Sequence, residues 1–191
     1  RLGLQWQWHG NSHPGWYSLT DRAGHLTLFS QPMPEEAENM WPVPNLLLQK
    51  FPAPAFTATT EMSLNAEATG ENAGLIVMGE DYAHLSVERT ADGYQLVHTR
   101  KMDAHEGGPP QDPMTVPLDD AETVQLQAQV EDGAEVQFAY SLDGGETFET
   151  IGDSFQAKQG HWIGAKVGVY ALTPPEASES GYADVEFFTI E

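Results

Sequence analysis

The chain has 191 residues, enough for one domain to bury a two-layer core without disulfide or metal staples. Asp and Glu number 29 against 8 Lys and Arg, a formal charge of -21 that argues against nucleic acid, whose phosphates would be repelled, and favours a neutral partner. With no Cys the fold rests on no disulfide and thiols do not report a redox compartment, so secreted and cytoplasmic locations both stay open; no apolar run reaches the ~20 residues of a membrane span, and no membrane partner is expected.

The chain opens Arg1-Leu2-Gly3-Leu4 without an initiator Met, which reads as an excised module or a processed product. Leu2, Leu4, Trp6 and Trp8 then alternate with Gly3, Gln5 and Gln7, so a strand is predicted with Trp6 and Trp8 on its buried side. Trp16 and Tyr17 start another strand and point to opposite faces, so one of them is predicted to be buried. Residues 31–44 carry Pro32, Pro34, Pro42 and Pro44 with Glu35, Glu36 and Glu38, and read as a long surface loop. Trp41 in that loop is a candidate exposed ring, either stacking on a ligand or docking on a neighbouring domain.

Further on, Ala83, Leu85 and Val87 alternate with Tyr82, His84, Ser86 and Glu88. Residues 103–117, rich in Gly and Pro, read as a loop. Val124, Leu126, Ala128 and Val130 face away from Gln125, Gln127 and Gln129. Val136, Phe138 and Tyr140 lead into Ser141-Leu142-Asp143-Gly144-Gly145-Glu146-Thr147-Phe148, an Asp-box hairpin of the pattern Ser-x-Asp-x-Gly-x-Thr-aromatic. Such hairpins recur in carbohydrate-active β-proteins, mostly as structure, so Asp143 is assigned to the turn. Ile163, Ala165, Val167 and Val169 oppose Trp162, Lys166 and Tyr170, and residues 172–181 form another loop.

No stretch holds a 3.6-residue apolar period, no internal repeat appears and no linker divides the chain. The prediction is a single all-β domain over residues 1–191, an antiparallel β-sandwich of two sheets packed face to face.

If the apolar sides point inward, one sheet gathers Tyr82, His84, Glu88, Gln125, Gln127, Gln129, Gln137, Trp162, Lys166 and Tyr170 on its open side. Amides and carboxylates there suit sugar hydroxyls, and Trp162 or Tyr170 suits a sugar's apolar face. The alternative is a polar face that only meets solvent. Lys166, mid-strand between Gly164 and Gly168, is either a ligand contact or the ion-pair partner of Glu88. His9 and His13 are spaced for neither a helix nor one strand face, which argues against a transition-metal site. No cofactor is required, although lectin-like sandwiches often fix one calcium near the chain ends, with Asp184 the candidate ligand. Asp184 and Glu186 lie on one side of a strand, the minimum for a retaining glycanase, but the next residue on that side is Phe188, which argues against catalysis.

Four segments carry a family resemblance: Leu2-Gly3-Leu4-Gln5-Trp6-Gln7-Trp8, Asn45-Leu46-Leu47-Leu48-Gln49-Lys50-Phe51, Trp162-Ile163-Gly164-Ala165-Lys166-Val167-Gly168 and Gly181-Tyr182-Ala183-Asp184-Val185-Glu186-Phe187-Phe188. In this order, with the Asp box before the third, the chain resembles the C-terminal concanavalin A-like jelly roll of family 43 glycoside hydrolases of the β-xylosidase type. It is also similar to carbohydrate-binding module family 91. Where that family runs Trp-x-Trp-Asn-His-Asn-Pro, this chain has Trp6-Gln7-Trp8-His9-Gly10-Asn11-Ser12. The resemblance implies a non-catalytic module that recognises xylan, arabinoxylan or xylo-oligosaccharides beside a family 43 catalytic domain absent from this chain. The alternatives are an accessory domain that shapes the active site of a β-xylosidase or arabinofuranosidase without binding sugar itself and, third, an independent glycanase.

Overall fold

Short runs of alternating apolar and polar residues give strands, and the Gly, Pro, Asn and Asp between them give turns. A computed structural model describes residues 2–118 and 123–191. In chain order the strands are β1 (Gln7–Trp8), β2 (Tyr17–Ser18), β3 (Leu26–Phe29), β4 (Gln31–Pro32), β5 (Leu47–Lys50), β6 (Phe56–Asn65), β7 (Asn72–Met78) and β8 (Tyr82–Arg89). They continue as β9 (Tyr94–Lys101), β10 (Gln111–Leu118), β11 (Val124–Glu131), β12 (Glu135–Ser141), β13 (Glu149–Gln156), β14 (Lys166–Thr173) and β15 (Tyr182–Ile190).

One sheet runs β1-β5-β14-β7-β8-β9-β10, with β4 added in parallel along β14; the other runs β13-β12-β11-β6-β15-β3-β2. All other pairings are antiparallel. The inward sides of the sheets meet in one core, with Leu47, Leu75, Val77, Leu85, Leu96 and Val169 from the first sheet. Phe56, Met62, Leu126, Val136, Phe138 and Val185 come from the second. Each such side chain contributes about 1.5–3 kcal/mol by leaving water. The two-sheet antiparallel sandwich is therefore as the alternation predicts.

A second apolar layer departs from the prediction. Every residue of β14 is buried, which requires both faces of its sheet to be covered. The cover is the proline-rich segment, whose Met40 and Val43, with Leu46 beyond it, pack on Leu48, Ile76, Met78, Tyr82, Tyr170 and Leu172. Asn39 Nδ2 donates to the carbonyls of Ala104 (3.1 Å) and Gly108 (2.9 Å), and Asn45 Nδ2 donates to Ala171 (3.0 Å). The prolines abolish any period but leave the apolar side chains of the segment, which find the outer sheet face.

Three boundaries also differ. Within 103–117, Gln111–Leu118 form the edge strand β10, where Pro113 and Pro117 are tolerated because one side of an edge strand has no ladder to complete. β14 starts at Lys166, so Trp162 and Ile163 lie in the preceding loop, and Ile163 is exposed rather than buried. At the N-terminus only Gln7 and Trp8 pair; Leu4 is exposed, while Trp6 and Trp8 are half-buried against the core. Trp16 and Tyr17 are both half-buried, so neither is the fully buried member of the pair.

The Asp-box hairpin commits both carboxylate oxygens of Asp143. Oδ1 accepts from the Ser141 hydroxyl (2.6 Å) and the Thr147 amide (2.9 Å), and Oδ2 accepts from the Thr147 hydroxyl (2.6 Å). These donors hold the Asp143 carboxyl well below the usual carboxylate range.

Candidate functional site

The sequence-predicted site residues do not share one open face. Gln125, Gln127, Gln129 and Gln137 belong to β11 and β12 of the second sheet, whereas Tyr82, His84, Glu88, Lys166 and Tyr170 belong to β8 and β14 of the first. On the second sheet, Gln127 Nε2 donates to Thr59 Oγ1 (3.1 Å) and its Oε1 accepts from Gln129 (2.6 Å). Alternation assigns a residue to one side of its own strand but not to a sheet, and that ambiguity merged two faces into one.

Tyr82 and Tyr170, expected on the open side, are fully buried beneath the 33–46 segment. Tyr82 Oη accepts the Met40 amide hydrogen at 3.2 Å, and burial pushes its phenol up to about 12. Burial likewise raises the Tyr170 phenol, whose Oη lies 3.0 Å from His84 Nδ1. Burial lowers the His84 imidazole to about 3, with His98 a lesser cause, so the ring is neutral. Glu88 accepts from Gln95 Nε2 at 2.9 Å. It lies at the opposite end of the sheet from Lys166, since Glu88 aligns with Asn72 and Lys166 with Met78 at the two ends of β7. An ion pair between Lys166 and Glu88 is therefore ruled out. Tyr82, His84 and Glu88 instead line a cleft of about 310 Å³ with Ser86, Thr99 and Glu38, roofed by Met33 and Asn39.

Trp41, Trp162 and Lys166 do converge. With His9, Met78 and His161 they line a pocket of about 270 Å³ at the end of the first sheet where β14 begins and β7 finishes. Trp162 is 95% exposed on its loop. Lys158 in the same loop reaches Asp81 Oδ2 (3.0 Å) and Asp103 Oδ1 (3.1 Å), the Glu80 amide donates to the Gln159 carbonyl (3.1 Å), and the Gly160 amide donates to the Ile163 carbonyl (2.8 Å).

Trp41 is half-buried among imidazoles, its ring centroid 5.4 Å from His161, 5.9 Å from His105 and 6.2 Å from His9. His9 Nε2 bonds the Trp41 carbonyl at 3.0 Å; burial lowers its pKa most, against the raising effect of that bond, and the nearby Lys166 charge lowers it further. Lys166 is 8% exposed, and burial, then the neighbouring Lys50 charge, depress its pKa. Its ammonium has no hydrogen-bond or ion-pair partner among the described residues.

His105 and His161 are not singled out by the sequence, and His9 enters it only as half of a pair with His13, because positions 9, 41, 105 and 161 have no common spacing. The one local signal was the His161-Trp162 pair between Gly160 and Gly164. Chemically, the pocket offers flat rings, imidazole nitrogens and one uncompensated cation in an apolar setting. It lacks a pair of carboxylates.

Asp184 sits elsewhere, on β15, with Oδ2 accepting from Arg22 Nη1 (2.9 Å) and Oδ1 from Thr27 Oγ1 (2.6 Å). The Arg22 guanidinium thus places a positive charge beside the candidate calcium ligand. Among the described residues no three His, Cys, Asp or Glu side chains converge to hold a metal. The space that Asp184 shares with Glu186 is only about 20 Å³, while Asp184 without Glu186 borders a separate cleft of about 340 Å³ with Arg22, Phe29 and Tyr182.

The two antiparallel sheets packed face to face define a concanavalin A-like β-sandwich domain. The chain matches the β-xylosidase C-terminal concanavalin A-like domain over residues 1–191, and it belongs to that family. It is 28% identical over 170 residues to a putative β-xylosidase of Xylanibacter ruminicola, covering 87% of this chain and 28% of that protein. To a β-xylosidase of Formosa agariphila it is 25% identical, covering 100% of this chain and 33% of that one. Among solved structures, a bifunctional GH43-CE protein of Bacteroides eggerthii superimposes with a TM-score of 0.83 at 26% identity, covering 100% of this chain and 24% of that chain. The chain thus spans about a quarter to a third of these relatives. It corresponds to the C-terminal module of family 43 glycoside hydrolases.

Proposed function

We propose that this domain is a non-catalytic carbohydrate-recognising module of a xylan-degrading family 43 enzyme, and that it contacts xylan or a xylo-oligosaccharide through the end pocket. The observation that carries this reading is the nearly full exposure of Trp162 beside the half-buried Trp41, at the mouth of a pocket sized for about one sugar unit. A large aromatic held in water loses the hydrophobic gain of burial, and a sugar's apolar face restores it. The membership in a β-xylosidase domain family points to xylan as the polymer.

The outer face of the first sheet is covered over β7 and β14 by Met40, Val43 and Leu46, and the cleft beside that cover presents no exposed aromatic ring, which favours binding at the end pocket. The second reading, an accessory domain that packs on its catalytic partner and binds no sugar, draws on the same exposed ring.

Affinity electrophoresis separates the two. In gels containing soluble xylan or arabinoxylan at moderate salt, the domain should be retarded, Trp162→Ala should lose most of the retardation, and thermal unfolding should be unchanged. Absence of retardation in any xylan gel would overturn sugar recognition and leave the accessory reading.

A further inference from the structure

Lys166 is the anomaly of the end pocket. A protein with 29 Asp and Glu against 8 Lys and Arg has a surplus of carboxylates for every cation. The structure uses that surplus elsewhere: Arg22 pairs with Asp184 (2.9 Å), Arg100 with Asp112 (2.8 Å), and Lys158 with Asp81 and Asp103. Lys166, more than nine-tenths buried, has no such partner among the described residues. At the same end Asp81 and Asp103 are taken by Lys158, and Glu80 lies 3.5 Å from His161. Across the ladder Lys166 aligns with Lys50, which adds like charge rather than relieving it.

The stem of Lys166 is buried while the residue lines the cavity, and a partly desolvated cation without a counter-charge is costly. The fold tolerates Lys166 because it borders a cavity. That cavity is walled by Trp41, Trp162 and Met78, so an anion entering it meets a low dielectric, where the attraction is stronger than in bulk water.

We propose that the pocket selects a carboxylate-bearing sugar unit, a uronic acid carried on the saccharide, with the Lys166 ammonium as the carboxylate's partner and the Trp41 and Trp162 rings against the sugar. This deepens the sugar-binding reading above and rests on it. A uronic acid is favoured over an acidic protein side chain because the pocket joins the cation to flat apolar walls and has the volume of about one ring.

The test is calorimetric titration of the whole chain, at pH 7 and low salt, with two probes: xylotriose and a xylotriose bearing one glucuronic acid branch. The acidic probe should bind at least about tenfold more tightly, and Lys166→Met should abolish that advantage, so that the variant binds the two probes alike. Circular dichroism checks that the variant is folded; should Lys166→Met not fold, Lys166→Arg, which keeps the charge, should retain the preference. Equal affinities for the two probes would overturn the uronate inference and leave neutral sugar recognition standing. Binding of neither probe would overturn both, and would leave the ammonium to a carboxylate of the catalytic domain.

Discussion

Lys158 Nζ lies 3.0 Å from the wholly buried Oδ2 of Asp81, tying the loop that carries Trp162 to the turn between β7 and β8. Asp81 Oδ1 accepts from the Asp103 amide at 2.6 Å, so one carboxylate fastens three segments around the end pocket. The loop is thus placed by a charge beneath it rather than by an apolar plug of its own.

Removing Lys158 should then act at a distance on binding. Lys158→Ala leaves the Asp81 charge buried with a backbone donor alone, and should lower the thermal midpoint and weaken xylan retardation although Lys158 does not line the pocket. Adding Asp81→Asn to that variant removes the stranded charge. The double variant should melt above Lys158→Ala; if it melts lower, the bridge is not what the loop depends on.

Gly152 offers a test of the core's edge. Its φ is +70°, and an added Cβ would enter the His98 ring. It sits opposite the bulged stretch where the β12–β13 register shifts between Val136 and Phe138. Gly152→Ala combines left-handed strain with overpacking and should cost about 2–4 kcal/mol in urea unfolding. Pairing it with His98→Ala should recover part of that loss; a cost below about 0.5 kcal/mol for the single change would exclude the clash.

How much of this was readable beforehand depends on whether a residue's neighbours are local. The Asp box was legible because Ser141, Asp143, Gly144 and Thr147 satisfy one another within one turn. The sandwich was legible because the segments of β8, β11 and β14 alternate apolar with other residues over several positions. The second apolar layer was not, since Met40, Val43 and Leu46 have no period and reveal their burial only when the outer faces of β7 and β14 are beside them. The same holds for the end pocket, whose residues come from the end of β1, the segment between β4 and β5, the end of β7, and the loop before β14 with the start of that strand. Lys166 was marked for its rarity and its glycine neighbours, but its lack of a partner is a three-dimensional fact. Gly168 shows what those glycines do: a Cβ there would collide with the Leu47 carbonyl, so the close approach of β14 and β5 needs Gly at that position.

The Asp184 cluster predicts how the domain responds to metal. With Arg22 and Thr27 already on the carboxylate, neither calcium nor a chelator should move the unfolding midpoint measurably. Thr27→Val removes a charge-assisted hydrogen bond from a buried carboxylate and should cost about 1.5–3 kcal/mol. A calcium-dependent rise in midpoint of several degrees would show that the ion competes successfully with the guanidinium.

Acid should destabilise the fold well above the carboxylate range, because two buried imidazoles resist protonation. His84 is held at about 3 by burial, with the His98 charge a smaller cause. His98 is held at about 4 by burial and, less strongly, by Arg100, against the raising effect of Asp153; neither of its ring nitrogens has a partner. In the unfolded chain both titrate near 6.5. Above that pH both states are neutral and the histidines contribute nothing. Between about 6.5 and 4 the unfolded state binds protons that the folded state refuses, so stability falls as pH falls, by about 1.4 kcal/mol per unit for each histidine. At pH 5 that amounts to about 2 kcal/mol per ring relative to pH 7. Urea unfolding at pH 7, 6 and 5 reads the slope directly, and His98→Phe, which fills the site without a titrating group, should remove about half of it. A wild-type stability that is flat from pH 7 to 5 would mean that these rings are protonated in the folded protein and that their burial is relieved by water.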